Sequence, residues 1–188
     1  QNVVAIKGFR NQEVVVWLSD RIEEIIVSED VANEVSDLTI LVSTNQWQRR
    51  IIDDSIGCGA AGSVVKVNED IYFADQYGNI RSLLRTALDA SQGTRSLPIS
   101  DNIDSFIKRI NAAFIPNIVA TSFRQYYVVS VPLDGATVPS VTFRYDTTLQ
   151  AWEGPFTIAA ARWAVATMDH ASAPEAVKNP NLYFGSTV

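Results

Sequence analysis

Residues 63–84, which read SVVKVNEDIYFADQYGNIRSLL, decide the fold. β-Branched and aromatic runs alternate here with short polar segments. The runs lie at 63–67, 71–74 and 80–84, and the polar segments lie at 68–70 and 75–79. Such runs are typical of strands, and turns this short join antiparallel neighbours. The stretch therefore predicts a three-stranded meander, the local topology of a propeller blade or of any antiparallel sheet.

Strand signals of the same kind continue on both sides of this meander. They fall at 14–18, 21–27, 38–42, 125–131, 140–145, 151–153, 161–167 and 182–185. Segment 126–152 repeats the order of strand, polar turn and strand that 64–84 presents, although no fixed period links the two. Propeller blades contain about 40 residues each, so this chain would hold roughly four. We predict an all-β fold in which antiparallel meanders form a complete or partial β-propeller-like domain over residues 1–188.

One segment breaks the strand pattern. Its apolar residues recur at helical spacing, and they are Ile103, Phe106, Ile107 and Ile110. Ser100 or Asp101 can cap such a helix, and Pro116 ends it at the latest. We predict a short helix near 101–113, within a helical insertion of about 100–115, preceded by a loop at 88–96.

Composition excludes several classes of protein. The 188 residues are 47% apolar and 19% charged, which is typical of a globular chain. No apolar run is long enough to cross a bilayer, and no signal peptide is visible. The chain does not begin with Met, so we expect it to be a piece of a longer protein or a processed product.

Metal and redox chemistry have little support in this sequence. Cys58 is the single cysteine, so neither an intrachain disulfide nor a cysteine-based zinc site can form. His170 is the single histidine, so no multi-histidine metal site can form within one chain. We predict no metal and no cofactor, and the composition suits a reducing compartment or a particle assembled there.

Catalytic groups are also scarce. His170 follows Asp169 in a segment of loop composition, and nothing in the sequence brings a nucleophile to it. Cys58 lies between Gly57 and Gly59, which favours a small buried residue at a crossing or tight turn over a reactive thiol. We therefore predict that the chain is not an enzyme and has no catalytic residues.

The sequence contains two acidic pairs, Asp53-Asp54 and Glu23-Glu24. Adjacent residues in a strand point to opposite faces, so neither pair can flank a sugar as glycosidase carboxylates do. We interpret them as solvated turns, with weak Ca²⁺ ligation as the alternative. The four tryptophans, Trp17, Trp47, Trp152 and Trp163, are interpreted as core residues, with sugar stacking as the alternative.

The net charge of −6 is unevenly distributed. Residues 1–94 hold 14 acidic and 8 basic residues, whereas residues 95–188 are balanced. Stretch 20–37 has seven acidic residues and one arginine, which favours a solvated loop, with a face for a basic partner as the alternative. Proteins that bind the phosphate backbone of nucleic acids need clustered Lys and Arg, and this chain has no such cluster.

A series of motifs, in a fixed order, carries a resemblance to a known family. They lie at 57–59, 63–67, 70–83, 97–103, 126–132 and 145–152. In that order they resemble the β-propeller region of tail hub or nozzle proteins of short-tailed bacteriophages, over about residues 57–152. The resemblance implies a ring of identical subunits, usually six, below the portal and adaptor, which forms part of the DNA exit channel. The chain departs from this family in being short, without a platform domain that would dock on the adaptor ring.

The resulting hypothesis is a virion structural protein, assembled in the host cytoplasm, through which genome DNA passes without sequence-specific binding. The alternative is a propeller-type carbohydrate-binding or glycan-processing host-recognition module. For assembly contacts the sequence offers the acidic stretch 20–37 and the loop 132–140.

Overall fold

The computed structural model describes residues 2–10, 13–28, 46–166 and 180–186. Its strands are β1 (Val3–Gly8), β2 (Glu13–Leu18), β3 (Ile22–Ser28), β4 (Gln46–Asp53), β5 (Val65–Val67), β6 (Asp70–Ala74), β7 (Ile80–Ser82), β8 (Val119–Phe123), β9 (Tyr126–Val131), β10 (Val141–Asp146), β11 (Ala151–Phe156), β12 (Arg162–Ala166) and β13 (Asn181–Gly185). Its α-helices are α1 (Leu83–Ser91) and α2 (Asp104–Ile107), and its 3₁₀ helices are Ala61–Ser63, Ile99–Ile103 and Ala112–Asn117.

The strands form four antiparallel sheets whose strands follow one another in chain order. The first sheet contains β1 to β4, the second β5 to β7, the third β8 to β11, and the fourth β12 and β13. Each strand pairs with its sequence neighbour, so the first three sheets are simple meanders without crossovers. The predicted all-β fold is confirmed, and no sheet closes on itself within the described residues.

The second sheet is buried on both faces. Along β6, side chains alternate between the two faces, so Ile71 and Phe73 point one way and Tyr72 the other. Ile71 and Phe73 pack with Trp17 of the first sheet, and the Trp17 and Phe73 rings lie 5.8 Å apart. Tyr72 packs with Tyr127 of the third sheet at a ring separation of 5.4 Å. The second sheet, formed by β5 to β7, is therefore the central layer, with a separate hydrophobic core on each side.

The third sheet also has a neighbour on each face. Tyr127 and Val129 point to the second sheet, so Ser130 points to the opposite face. There the indole N–H of Trp163 in β12 donates to the Ser130 hydroxyl at 3.1 Å. The four sheets are thus stacked in the order in which the chain makes them.

Most predicted strands are confirmed, but three boundaries are wrong. The strand predicted at 63–67 begins at Val65, because Ala61–Ser63 is a 3₁₀ helix. The strand predicted at 80–84 ends at Ser82, where α1 begins, so the loop predicted at 88–96 starts too early. The reason is an N-cap: the Ser82 hydroxyl accepts from the Arg85 amide at 3.1 Å, and the Asp70 carboxylate accepts from the Leu84 amide at 3.0 Å. The strand predicted at 38–42 lies outside the described residues.

The predicted helical insertion is present but broken. The single helix near 101–113 is wrong, because α2 is one turn long and 3₁₀ helices precede and follow it. The Ser100 hydroxyl accepts from the Ile80 amide at 3.0 Å and therefore does not cap a helix. The predicted apolar side is nevertheless correct, since Ile107 and Ile110 are buried in the core between the second and third sheets.

Candidate functional site

The turn between β6 and β7 is built around a buried carboxylate. Asp75 accepts from the amides of Tyr77 and Asn79, both at 2.9 Å, and from Arg81 Nε at 2.6 Å. Both members of this ion pair are buried, and Arg81 Nη1 donates onward to the Ser96 carbonyl at 2.9 Å. A buried pair keeps its charge only when hydrogen bonds satisfy it, as they do here. The network fixes the turn and ties it to the loop after α1.

A second contact ties the same turn to the end of the first sheet. The Gln76 side chain accepts from the Gly57 amide at 2.8 Å and donates to the Ser55 carbonyl at 3.0 Å. Asp53 accepts from the amides of Ser55 and Ile56 at 2.8 and 2.9 Å, which fixes that loop as an Asx turn. Three loops from different parts of the chain are therefore held in place around one space.

That space is an open cleft of about 730 Å³. Its walls are the segment that leaves β4, the β6–β7 turn, and the loop after α1. The charged lining residues are Asp53, Asp54, Arg81 and Arg95, with Tyr77 on the rim. Asp54 and Arg95 make no hydrogen bond or ion pair within the described part of the chain, and Tyr77 is 71% exposed. The cleft thus combines free polar groups with an exposed aromatic ring.

The two acidic pairs differ from each other. Glu23 and Glu24 are not a solvated turn, which corrects the prediction: both lie in β3, both are buried, and they form ion pairs with Arg49 and Arg50 of β4. Charged partners in the adjacent strand make this burial tolerable. Asp53-Asp54 does form a turn, in which Asp54 is exposed.

Cys58 is a buried residue between the first two sheets, as predicted. It is 2% exposed, and its thiol donates to the Ala60 carbonyl at 3.3 Å. Burial raises the pKa of the thiol from 9.0 to about 11.

We expect Cys58 to react with a thiol-specific disulfide reagent at pH 8 only as fast as the protein opens. The folded thiol has the raised pKa, so the neutral form is favoured by folding. This contribution to stability is complete below pH 9 and is lost as the pH rises through about 11. Labelling rates with and without denaturant test this. Rapid, stoichiometric labelling of the folded protein would contradict it.

The tryptophans with described side chains are buried or half-buried and stabilise the fold. Trp17 is fully buried. Trp152 and Trp163 are half-buried and donate their indole N–H groups to the Ile99 carbonyl and the Ser130 hydroxyl. The core interpretation is confirmed for Trp17 and Trp152, whereas Trp163 packs on Phe184 outside both hydrophobic cores. The side chain of Trp47 lies outside the described part.

The remaining predicted residues are only partly placed. His170 and positions 29–37 of the acidic stretch lie outside the described residues. Loop 132–140 is tied to the helical insertion, because Arg109 pairs with Asp134 and the Asn111 side-chain Nδ2 donates to the Ala136 carbonyl at 3.1 Å. Its role in assembly stays a prediction.

No group of three or more metal-ligating side chains converges within 2–10, 13–28, 46–166 and 180–186. Over the same ranges, no helix is long and apolar enough to cross a membrane. No known family model matches the chain, and no curated protein is significantly similar to it.

Proposed function

We propose that this chain is a virion structural protein of the tail hub or nozzle class. In this proposal, identical subunits, six in number, form a ring below the portal and adaptor, and the ring is part of the DNA exit channel of a short-tailed phage. The chain acts by assembly and has no catalytic step. Genome DNA passes through without sequence-specific binding.

The observation that carries the proposal is the central sheet with two buried faces. A propeller is a succession of antiparallel meanders, each of which packs on the meander before it and on the one after it. The second and third sheets each have such a pair of neighbours, through Phe73 and Tyr72 in one case and Tyr127 and Trp163 in the other. Residues 57–152, over which the chain resembles nozzle proteins, span these two sheets and the helical segment between them.

Two exposed isoleucines on the edge strands of the first sheet give further support. Ile6 of β1 and Ile51 of β4 lie on the outer face of the first sheet and are 60% and 50% exposed. Their cross-strand partners, Val16 and Glu23, lie on the side opposite to the buried Trp17. Proteins built into particles present such apolar surface to their neighbours.

The net charge and the paired arginines suit the wall of a channel through which DNA passes. The net charge is −6, and many arginines are occupied by carboxylates, as Arg109 is by Asp134 and Arg144 is by Glu153. Few cations are left to bind a phosphate backbone, so the affinity for DNA would be low.

Electron microscopy of the purified protein, with its mass in solution, tests the proposal. A ring of six copies around an open channel is the expected result. DNA binding, measured at low salt with a random duplex, should be weak. A monomer at micromolar concentration, or a compact particle without a channel, would overturn the proposal.

A further inference from the structure

We propose that the cleft bounded by Asp54, Tyr77, Arg81 and Arg95 is a binding site for a neutral saccharide. Ring assembly and DNA passage do not require such a site, so this inference goes beyond the proposed function. It rests on the preformed walls, the free polar groups and the exposed ring, each of which is a separate observation.

The floor of the cleft holds a buried guanidinium with spare donors. Arg81 is 8% exposed in its side chain, uses Nε for Asp75 and uses Nη1 for the Ser96 carbonyl. Its Nη2 has no hydrogen-bond partner among the described residues and is not one of their buried unpaired atoms, so it is open to solvent or to a ligand. Because Arg81 lines the cleft, a ligand oxygen is a suitable acceptor for it.

The rim of the cleft carries an exposed aromatic side chain, that of Tyr77, on a rigid backbone. Tyr77 is 71% exposed, and its amide donates to the Asp75 carboxylate. Tyrosine offers a large flat surface with only two side-chain torsions to fix, so it makes contact at a low cost in entropy. A pyranose has one face of C–H groups that can lie on such a ring, while its hydroxyl groups remain at the edge.

The charge balance disfavours an anionic ligand. Asp53, Asp54, Arg81 and Arg95 line the cleft, and Asp75 already neutralises Arg81, so one negative charge is left in excess. An anion such as phosphate would need an excess of donors and positive charge, which the cleft lacks. Sugar hydroxyls both donate and accept, so they can use the Asp54 carboxylate and the Arg95 guanidinium together, since neither is hydrogen-bonded within the described residues.

Hydrogen bonds within the chain also hold the three walls of the cleft in place before a ligand binds. The Gln76 contacts, the Asp53 turn and the Arg81 bond to Ser96 hold the three walls. At the end of α1, the Thr94 amide donates to the Asp89 carbonyl at 2.9 Å, which fixes the third wall independently. Preformed sites lose little free energy to ordering, so even a small set of contacts gives measurable binding.

Saturation-transfer NMR on the complete chain tests the proposal and remains usable if the chain assembles into a ring. The probes are maltotriose, cellotriose, lactose and mannotriose, each at about 10 mM, because dissociation constants on the order of 1 mM are expected. We expect saturation of at least one of them, strongest at the C–H protons of one pyranose face. Inorganic phosphate and hexathymidylate, followed by ³¹P line widths, should not bind in the cleft.

Tyr77→Ala should weaken that binding by about tenfold or more, because the stacking surface is lost. Tyr77→Phe should keep it, since the ring remains. The matched control is Leu149→Ala, which removes an apolar side chain that is 74% exposed and outside the cleft, and which should change nothing. Tyr77 is so exposed that its replacement should leave the unfolding midpoint unchanged.

Three results would overturn this assignment. They are the absence of transfer to all four sugars, equal transfer in Tyr77→Ala and the wild type, and binding of phosphate or the oligonucleotide that Tyr77→Ala abolishes. None of them bears on the ring proposal, which depends on the assembly seen by microscopy.

Discussion

Asp75→Ala is expected to lower the free energy of unfolding by about 3–5 kcal/mol, because it leaves the buried Arg81 charge without its partner. The Asp75 and Arg81 side chains are 1% and 8% exposed, so water cannot replace the lost carboxylate without a structural change. The amides of Tyr77 and Asn79 lose their acceptor as well. Urea unfolding followed by tryptophan fluorescence measures the loss.

Two further variants separate charge from turn geometry. Asp75→Asn keeps a carbonyl oxygen for the turn amides but removes the charge, so it should fall between the wild type and Asp75→Ala. Asp134→Ala removes an ion pair with Arg109 in which both side chains are about half exposed, and it should change the stability far less than Asp75→Ala does, because solvent screens exposed pairs. If Asp75→Ala were as mild as Asp134→Ala, the buried network would not be what holds the turn.

The parts of the fold that the sequence predicted are those in which local pattern and tertiary contacts agree. The strands around Ile71–Ala74 and Tyr126–Val131 are rich in β-branched and aromatic residues, and both are buried in sheets. Three strands were missed, β1, β4 and β8, although β1 carries a β-branched run of its own. In β4, the run Gln46–Asp53 places Arg49 and Arg50 in mid-strand, and only the buried carboxylates of β3 explain their position.

The cleft was not predictable, because it depends on contacts between distant segments. The sequence predicts a polar turn at 75–79, which includes Tyr77, and a solvated turn at Asp53-Asp54, and the structure has a turn at both places. Nothing in either segment indicates that Gln76 joins them or that Arg81 extends to Ser96. The signal that the sequence does contain is the spacing of Asp75, Gly78 and Arg81, in which a turn carboxylate precedes a buried arginine in the next strand.

Gly57→Ala is expected to destabilise the protein by about 3 kcal/mol or more, because the added methyl group meets backbone that cannot move aside. A Cβ atom at Gly57 would lie 2.3 Å from the Ser19 carbonyl carbon and 2.4 Å from the Asp20 amide nitrogen. At this point the chain passes from the first sheet to the second, and the Cys58 amide donates to the Leu18 carbonyl at 2.8 Å. The variant must separate these segments or lose that bond.

The control for this variant is Gly8→Ala, which tests whether glycine itself or its surroundings matter. No atom lies within 4 Å of a Cβ placed on Gly8, at the end of β1, so its unfolding free energy should change by less than about 0.5 kcal/mol. Hydrogen exchange gives a local measure, since the Cys58 amide should lose protection in Gly57→Ala and keep it in Gly8→Ala. Equal stability of the two variants would mean that the first and second sheets do not meet as closely as the backbone at Gly57 requires. The packing of Trp17 on Phe73 would then be what holds the first sheet against the second, without a close backbone contact at Gly57.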